Sequence, residues 1–254
     1  MRSHPLALRA GTLRAVWLGA VLLAPGALAD GDPRISFLAR QLGSATDPRV
    51  RAQAALTLGT TDASGALAPL CGALGDPVPL VRAAVARALP ELHDLAALDC
   101  LAAHAGDPAP ASQGEIQRSL ALLRKVKERT PSVAVWVDPV RDPSIPPLGE
   151  AICGEARSRL VRHLSWSGAR SDAVEVAPAG KTSGPPAYLL KPTLLRSENG
   201  GLVMAAVCLT WPSKQILGEV RVKGTGAAPL DLVRALVPRL VEDASSTFEW
   251  ELIR

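Results

Sequence analysis

An α-helical solenoid of three repeats, followed by a small α/β domain, is the fold this sequence predicts. Three observations lead there. Asp-Pro recurs at positions 47, 76 and 107, each time between two apolar runs of helical spacing and each time nine residues after a leucine (Leu38, Leu67, Leu98). The triplet Val50-Arg51-Ala52 returns as Val81-Arg82-Ala83. Aromatic residues divide sharply: beyond residue 29 only Phe37 precedes Pro131, whereas Trp136, Trp166, Tyr188, Trp211, Phe248 and Trp250 follow it. That contrast argues for two separate cores, with domains at 30–130 and 131–254.

Residues 1–29 read as a secretory signal. Arg2, Arg9 and Arg14 form a positive start, residues 15–24 an apolar stretch, and Ala27-Leu28-Ala29 an A-x-A cleavage site. The expected location is therefore periplasmic or secreted, with no membrane span once the signal is cleaved, because the apolar stretch is too short to cross a bilayer. The leader holds three arginines and no acid. Without it, 25 Lys and Arg stand against 24 Asp and Glu. Nearly zero net charge removes the concentrated positive face that a nucleic-acid partner would require.

Each repeat reads as two helices. Ile35, Leu38 and Leu42 share one face of the first. Asp47 is a good N-cap and Pro48 suits the first helical position, where its missing N–H costs nothing. Val50, Ala54 and Leu58 then form a narrow stripe suited to close packing. Leu67, Leu70 and Leu74 precede Asp76-Pro77; Val81, Val85, Ala88 and Leu89 follow it. Leu98 and Leu101 precede Asp107-Pro108; Ile116, Leu120 and Leu123 follow it. On this pattern every Asp-Pro begins a helix.

The run Asp47-Pro48-Arg49-Val50-Arg51-Ala52-Gln53-Ala54-Ala55 resembles the HEAT repeat, most closely the short bacterial form related to phycobilin-lyase repeats. The resemblance covers residues 34–128 and implies a short curved solenoid that holds a protein partner. The third unit lacks the Val-Arg pair and is expected to act as a cap.

Past Glu128-Arg129-Thr130-Pro131-Ser132 the pattern turns to α/β. Residues 133–137 are rich in strand formers. Leu148, Ile152, Ala156, Leu160 and Leu164 give a helix. Strands are expected at 173–176, 188–196, 202–210 and 215–222, with Asn199-Gly200 turning a hairpin and Pro192 pushing its strand towards an edge or a bulge. Val233, Leu236, Val237, Leu240 and Val241 give a last helix, and residues 248–253 a final strand or a loose tail. This mostly antiparallel sheet with two helices is similar in element order to the N-terminal domain of TolB and to CsgG-like periplasmic domains. That resemblance implies an envelope assembly module.

No residue set demands catalysis, a cofactor or a metal. Gly180-Lys181-Thr182 lacks the earlier glycine of a phosphate loop, since position 175 is Glu. His93, His104 and His163 have no adjacent nucleophile, and no Cys or His spacing fits zinc. Asp138 and Asp142 follow the first strand, in a proline-rich loop. A cleft gathering them with His163 would favour a hydrolase; a closed apolar pocket would favour a ligand-binding sensor. Arg51 and Arg82 occupy one repeat position. They form either a cationic row for an acidic partner or a structural ladder between units, and the arginine fork favours the ladder. Cys71, Cys100, Cys153 and Cys208 are either buried thiols or two bridges, most simply 71–100 and 153–208. The function expected is an exported, non-enzymatic scaffold for a protein partner in cell-envelope assembly or maintenance.

Overall fold

The computed structural model describes residues 32–173 and 184–252. The leader, the Gly180-Lys181-Thr182 loop, the strand expected at 173–176 beyond its first residue, and Ile253 lie outside the described residues. Residues 31–254 form one compact unit, within which the apolar core falls into two clusters, one per half.

The first half has six helices. Helix α1 (Pro33–Ser44) is capped by Asp32, whose carboxylate accepts from the Arg34 amide at 2.9 Å, and it buries Ile35, Leu38 and Leu42 as their spacing requires. Helix α2 (Pro48–Gly59) starts on Asp47, which accepts from the Arg49 amide. Its buried set is Ala52, Ala54, Ala55 and Leu58, whereas Val50, expected on the stripe, is 38% exposed. Alanines on two adjacent sides let α2 lie close to both of its neighbours. Gly59 shows how close: a Cβ there would stand 2.7 Å from the Ala88 carbonyl oxygen.

Helices α3 (Leu67–Ala73), α4 (Pro79–Ala88), α5 (Ala97–Ala103) and α6 (Pro110–Lys127) complete the repeats. Helices α2, α4 and α6 pack side by side in one layer, and α1, α3 and α5 in the other. The second and third helix starts differ from expectation. Helices α4 and α6 begin at Pro79 and Pro110, not at Asp76-Pro77 and Asp107-Pro108. In both units the Asp instead closes a tight turn, accepting from the amide two residues on, Val78 or Ala109. This turn engages one carboxylate oxygen and leaves the other open to a further partner. Ser119 in α6 donates to the Ala86 carbonyl at 2.7 Å, tying the third unit to the second.

The second half is a five-stranded sheet of order β2-β1-β3-β4-β5. Strand β1 (Ala134–Val137) pairs in parallel with β2 (Arg170–Ala173) and with β3 (Ala187–Arg196). Strands β3, β4 (Leu202–Trp211) and β5 (Ile216–Gly224) form an antiparallel meander. Helix α7 (Glu150–Trp166) covers β1 and β2, and α8 (Pro229–Thr247) covers β4 and β5, both on one face. The β3–β4 turn places Gly200 at φ 75°, as an Asn-Gly turn needs. Pro192 is neither on an edge strand nor in a bulge. It sits in β3 just past the last residue paired with β1, where the Arg141 amide reaches its carbonyl, so its missing N–H interrupts no ladder. Residues 248–252 are neither strand nor loose tail: Trp250 is buried, its amide donates to the Ser245 carbonyl, and its ring lies 5.3 Å from that of Tyr188.

Cys71 and Cys100 are bridged, joining α3 to α5 across 29 residues with Cα atoms 5.6 Å apart. The expected second bridge is absent. Cys153 and Cys208 are free thiols, because Cys153 rides on α7 above β1 and β2 while Cys208 lies in β4 beneath α8. Burial pushes the Cys208 thiol up to about 12, leaving it unreactive. Mass spectrometry of the denatured, unreduced chain should find one 71–100 bridge and two alkylated thiols. Cys71→Ser should lower unfolding stability by about 2–4 kcal/mol, the entropy of opening a loop of this size; an unchanged denaturation midpoint would contradict a formed bridge.

Candidate functional site

The candidate residues fall on the two opposite ends of the repeat helices. At the Asp-Pro end, Arg51 grips the turn of its own unit and that of the next. Its Nη1 donates to the Ala45 carbonyl at 2.8 Å, while Nε and Nη2 donate to the two oxygens of Asp76 at 2.7 and 3.0 Å. Arg82 repeats this one unit on, with the Asp76 carbonyl at 2.8 Å and Asp107 at 2.5 and 2.9 Å. Two-point contact to a carboxylate that also closes a turn fixes the spacing between units. The guanidinium groups are thus spent within the protein, and Arg51 and Arg82 form a ladder, not a row for a partner. Asp107 shows its effect most strongly. The Arg82 fork, with further bonds from Ser112 and the Ala109 amide, outweighs burial and holds the carboxyl well below the usual range.

At the other end the repeats meet α7. The turns after α2 and α4 place Asp62 and His93 in left-handed conformation, at φ 48° and 52°, turning backbone carbonyls towards the second half. Arg159 of α7 is 3% exposed. It donates to Asp62 Oδ2 at 2.7 Å and to the Thr61 carbonyl at 3.0 Å. Its Nε stands 2.8 Å from Glu155 Oε1 at an angle that makes this an ion pair and not a hydrogen bond. One turn on, Arg162 donates to the Asp62 carbonyl at 3.0 Å and to the Leu92 carbonyl at 3.4 Å. Glu155 returns the contact, accepting from the Ser64 hydroxyl at 2.5 Å. Burial lowers Arg159 below the usual arginine range against the pull of Asp62 and Glu155, yet a guanidinium keeps its charge. Burial would raise Asp62, but His93, Arg159 and Arg162 together outweigh it and hold the carboxyl low.

Beside this clamp lies a cavity of about 480 Å³. Its walls are His93 from the repeats, Arg129 from the connection to β1, His163, Trp166 and Ser167 from the end of α7, and Val241, Glu242 and Ser245 from α8. His93 stands edge-on to Trp166 at 4.8 Å and to His163 at 5.9 Å. Its Nδ1 is 3.8 Å from Asp62, too far for a hydrogen bond. Burial, then repulsion from His93, pushes the His163 imidazole below its ordinary value, so it is neutral at pH 7.

The structure brings His93 and His163 together but gathers neither with Asp138 or Asp142. Asp142 is a loop clamp, accepting from the amides of Ser144 and Leu148. Asp138 lies 3.9 Å from Lys191, and neither acid lines the cavity. His104 bonds the Cys100 carbonyl through Nδ1. Among the described residues no cluster of His, Cys, Asp and Glu could hold a metal, and no helix is long and apolar enough to cross a membrane.

Stacked two-helix units with an inter-unit Arg–Asp ladder are the geometry of a helical solenoid, and the comparison with known families agrees. Residues 35–121 match the HEAT repeats family. The match spans α1 to most of α6, and similarity to HEAT repeats points to a protein-interaction scaffold. No curated protein matches the chain.

Reading the sequence found the ladder and missed the clamp. The available signal was Glu155, Arg159 and Arg162 at i, i+4 and i+7 on the predicted helix. That is a second stripe beside the apolar one, and it gives the helix two faces to satisfy.

Two outcomes follow from this geometry. A carboxyl held low in the folded state adds stability that is complete above its unfolded value, about pH 4, and is lost as pH falls below it. Urea midpoints should therefore drop below about pH 4, and Arg82→Gln should lower stability at pH 7 while flattening that acid limb; an unchanged acid slope would contradict the ladder. Arg159→Ala should destabilise the chain by about 3 kcal/mol or more, since it leaves Asp62 and Glu155 at a buried seam with only the longer contacts to Arg162, at 3.8 and 3.4 Å. It should also speed proteolysis at residues 128–132. A loss below about 0.5 kcal/mol would show that the clamp carries nothing.

Proposed function

We propose that this protein is an exported, non-enzymatic scaffold that binds a protein partner on the open side of its repeats and serves cell-envelope assembly or maintenance. One observation carries the reading: the recurring leucines, turns and arginines hold the units together, while the exposed positions of the repeats differ from unit to unit. Equivalent positions on α2, α4 and α6 run Arg49, Leu80, Ala111, all exposed; then exposed Gln53 with half-buried Ala84 and Glu115; then half-buried Leu56 with exposed Arg87 and Arg118. Leu80 is half exposed. A surface of this kind, continuous over three units and mixed in chemistry, suits a specific protein partner better than a charged polymer.

Export is supported by the leader pattern and by the Cys71–Cys100 bridge, which is at home in an oxidising compartment. The second half keeps the β-α-β-β-β-β-α order that resembles TolB N-terminal and CsgG-like envelope domains. A hydrolase using a cleft between the halves finds less support, because Asp142 is spent within its own loop, Asp138 faces Lys191 of β3, and neither lines the cavity with His163.

Photo-crosslinking side chains placed at exposed Arg87 and Arg118 of the full chain in native cells should each yield a discrete adduct of the same partner, and one at exposed Ile145 should not. The mature chain should begin at Asp30 in the extracytoplasmic fraction. Absence of adducts from both repeat positions, or a chain retained in the cytoplasm with its leader, would overturn the proposal.

A further inference from the structure

We infer that the cavity at the seam is a binding site for a small amino-carboxylate with an apolar side chain, of free amino-acid to dipeptide size. The space of about 480 Å³ falls in the range of small-molecule sites. Its walls come from both halves: His93 from the repeats, Trp166 and Ser167 from the end of α7, and Val241 and Glu242 from α8.

The charges that line it are one of each sign. Arg129 spends Nη1 on the Trp166 carbonyl at 3.1 Å, which orients the guanidinium and leaves its other nitrogens for a ligand. No carboxylate pairs with it among the described residues. Glu242 likewise has no cationic partner among them, and the two do not pair with each other. The remaining ionisable groups are the two imidazoles, and His163 is kept neutral by its burial and by His93. A ligand complementary to this lining carries no net charge but both signs: a carboxylate for Arg129, where the fork gives two-point contact, and an ammonium for Glu242. In the same lining, Trp166, Val241, Pro238 and Leu252 offer apolar surface for a side chain. Ser167 adds a hydroxyl to the lining, and the Ser245 hydroxyl, which donates to the Trp250 carbonyl at 2.9 Å, can still accept from a ligand. A purely anionic ligand would face Glu242, and a purely cationic one Arg129.

This site is independent of the partner face on α2, α4 and α6. Because both halves contribute walls, occupancy adds to the clamp at Arg159 and raises the stability of the joined form by mass action.

The test uses the full mature chain in calorimetric titration and thermal unfolding with four probes: L-phenylalanine, L-leucine, phenylacetate and phenethylamine. The two amino acids should bind and raise the unfolding temperature at roughly millimolar ligand, and phenylacetate and phenethylamine should each bind about tenfold or more weakly than phenylalanine. Glu242→Gln, at an exposed position that leaves the fold intact, should remove the preference for phenylalanine over phenylacetate. Arg129→Gln should remove the preference over phenethylamine. Lack of binding by either amino acid overturns the inference. So does phenylacetate or phenethylamine binding as tightly as phenylalanine, or phenylalanine affinity unchanged in Glu242→Gln.

Discussion

A guanidinium that is 3% exposed has to be paired wherever it sits, and the pairing of Arg159 is what makes two halves of different fold into one body. An unpaired charge at that depth would cost several kcal/mol. The side chain meets the requirement with atoms from both sides of the seam: Asp62 and the Thr61 carbonyl from the repeats, Glu155 from its own helix. Pulling the halves apart would strip Arg159 and Arg162 of Asp62 and of the Thr61 and Leu92 carbonyls, leaving Glu155 of their own helix as the remaining acidic partner. Trp166 adds the main apolar contact, reaching the core of the repeats.

The repeat half is thereby held at both ends of its helices. At one end the Arg51–Asp76 and Arg82–Asp107 forks set the step from unit to unit. At the other, α7 binds the turns after α2 and α4 directly. The Cys71–Cys100 bridge locks α3 to α5 between them. Three units are few for a solenoid, whose stability grows with the number of neighbour contacts. Here the second half does the work that further repeats would do. It leaves Arg49, Leu80, Arg87 and Arg118 of α2, α4 and α6 exposed.

Much of the fold was legible because it is written in short-range periodicity. Leu38, Leu70 and Leu101 mark helix faces, Asn199-Gly200 marks a hairpin, and Leu160 and Leu164 mark the core face of α7. The helix starts at Pro79 and Pro110 were misplaced because Asp can cap a helix or close a tight turn, and the dipeptide alone does not distinguish them. Position 153 on the helix and position 208 in the strand could not be placed relative to one another without the strand order, so the second bridge was a guess about topology. The seam was hidden for the same reason. Asp62 and Arg159 are 97 residues apart, and the lone signal, a charged stripe on α7, reads equally as a solvated face. The arginine ladder was readable because repetition put both rungs at one position, which a single arginine never would.

Because the seam couples the halves, the repeats and the α/β half should unfold together. In differential scanning calorimetry of the mature chain, a single transition is expected whose calorimetric and van't Hoff enthalpies agree. Two resolved transitions, one for the repeats and one for the α/β half, would contradict it.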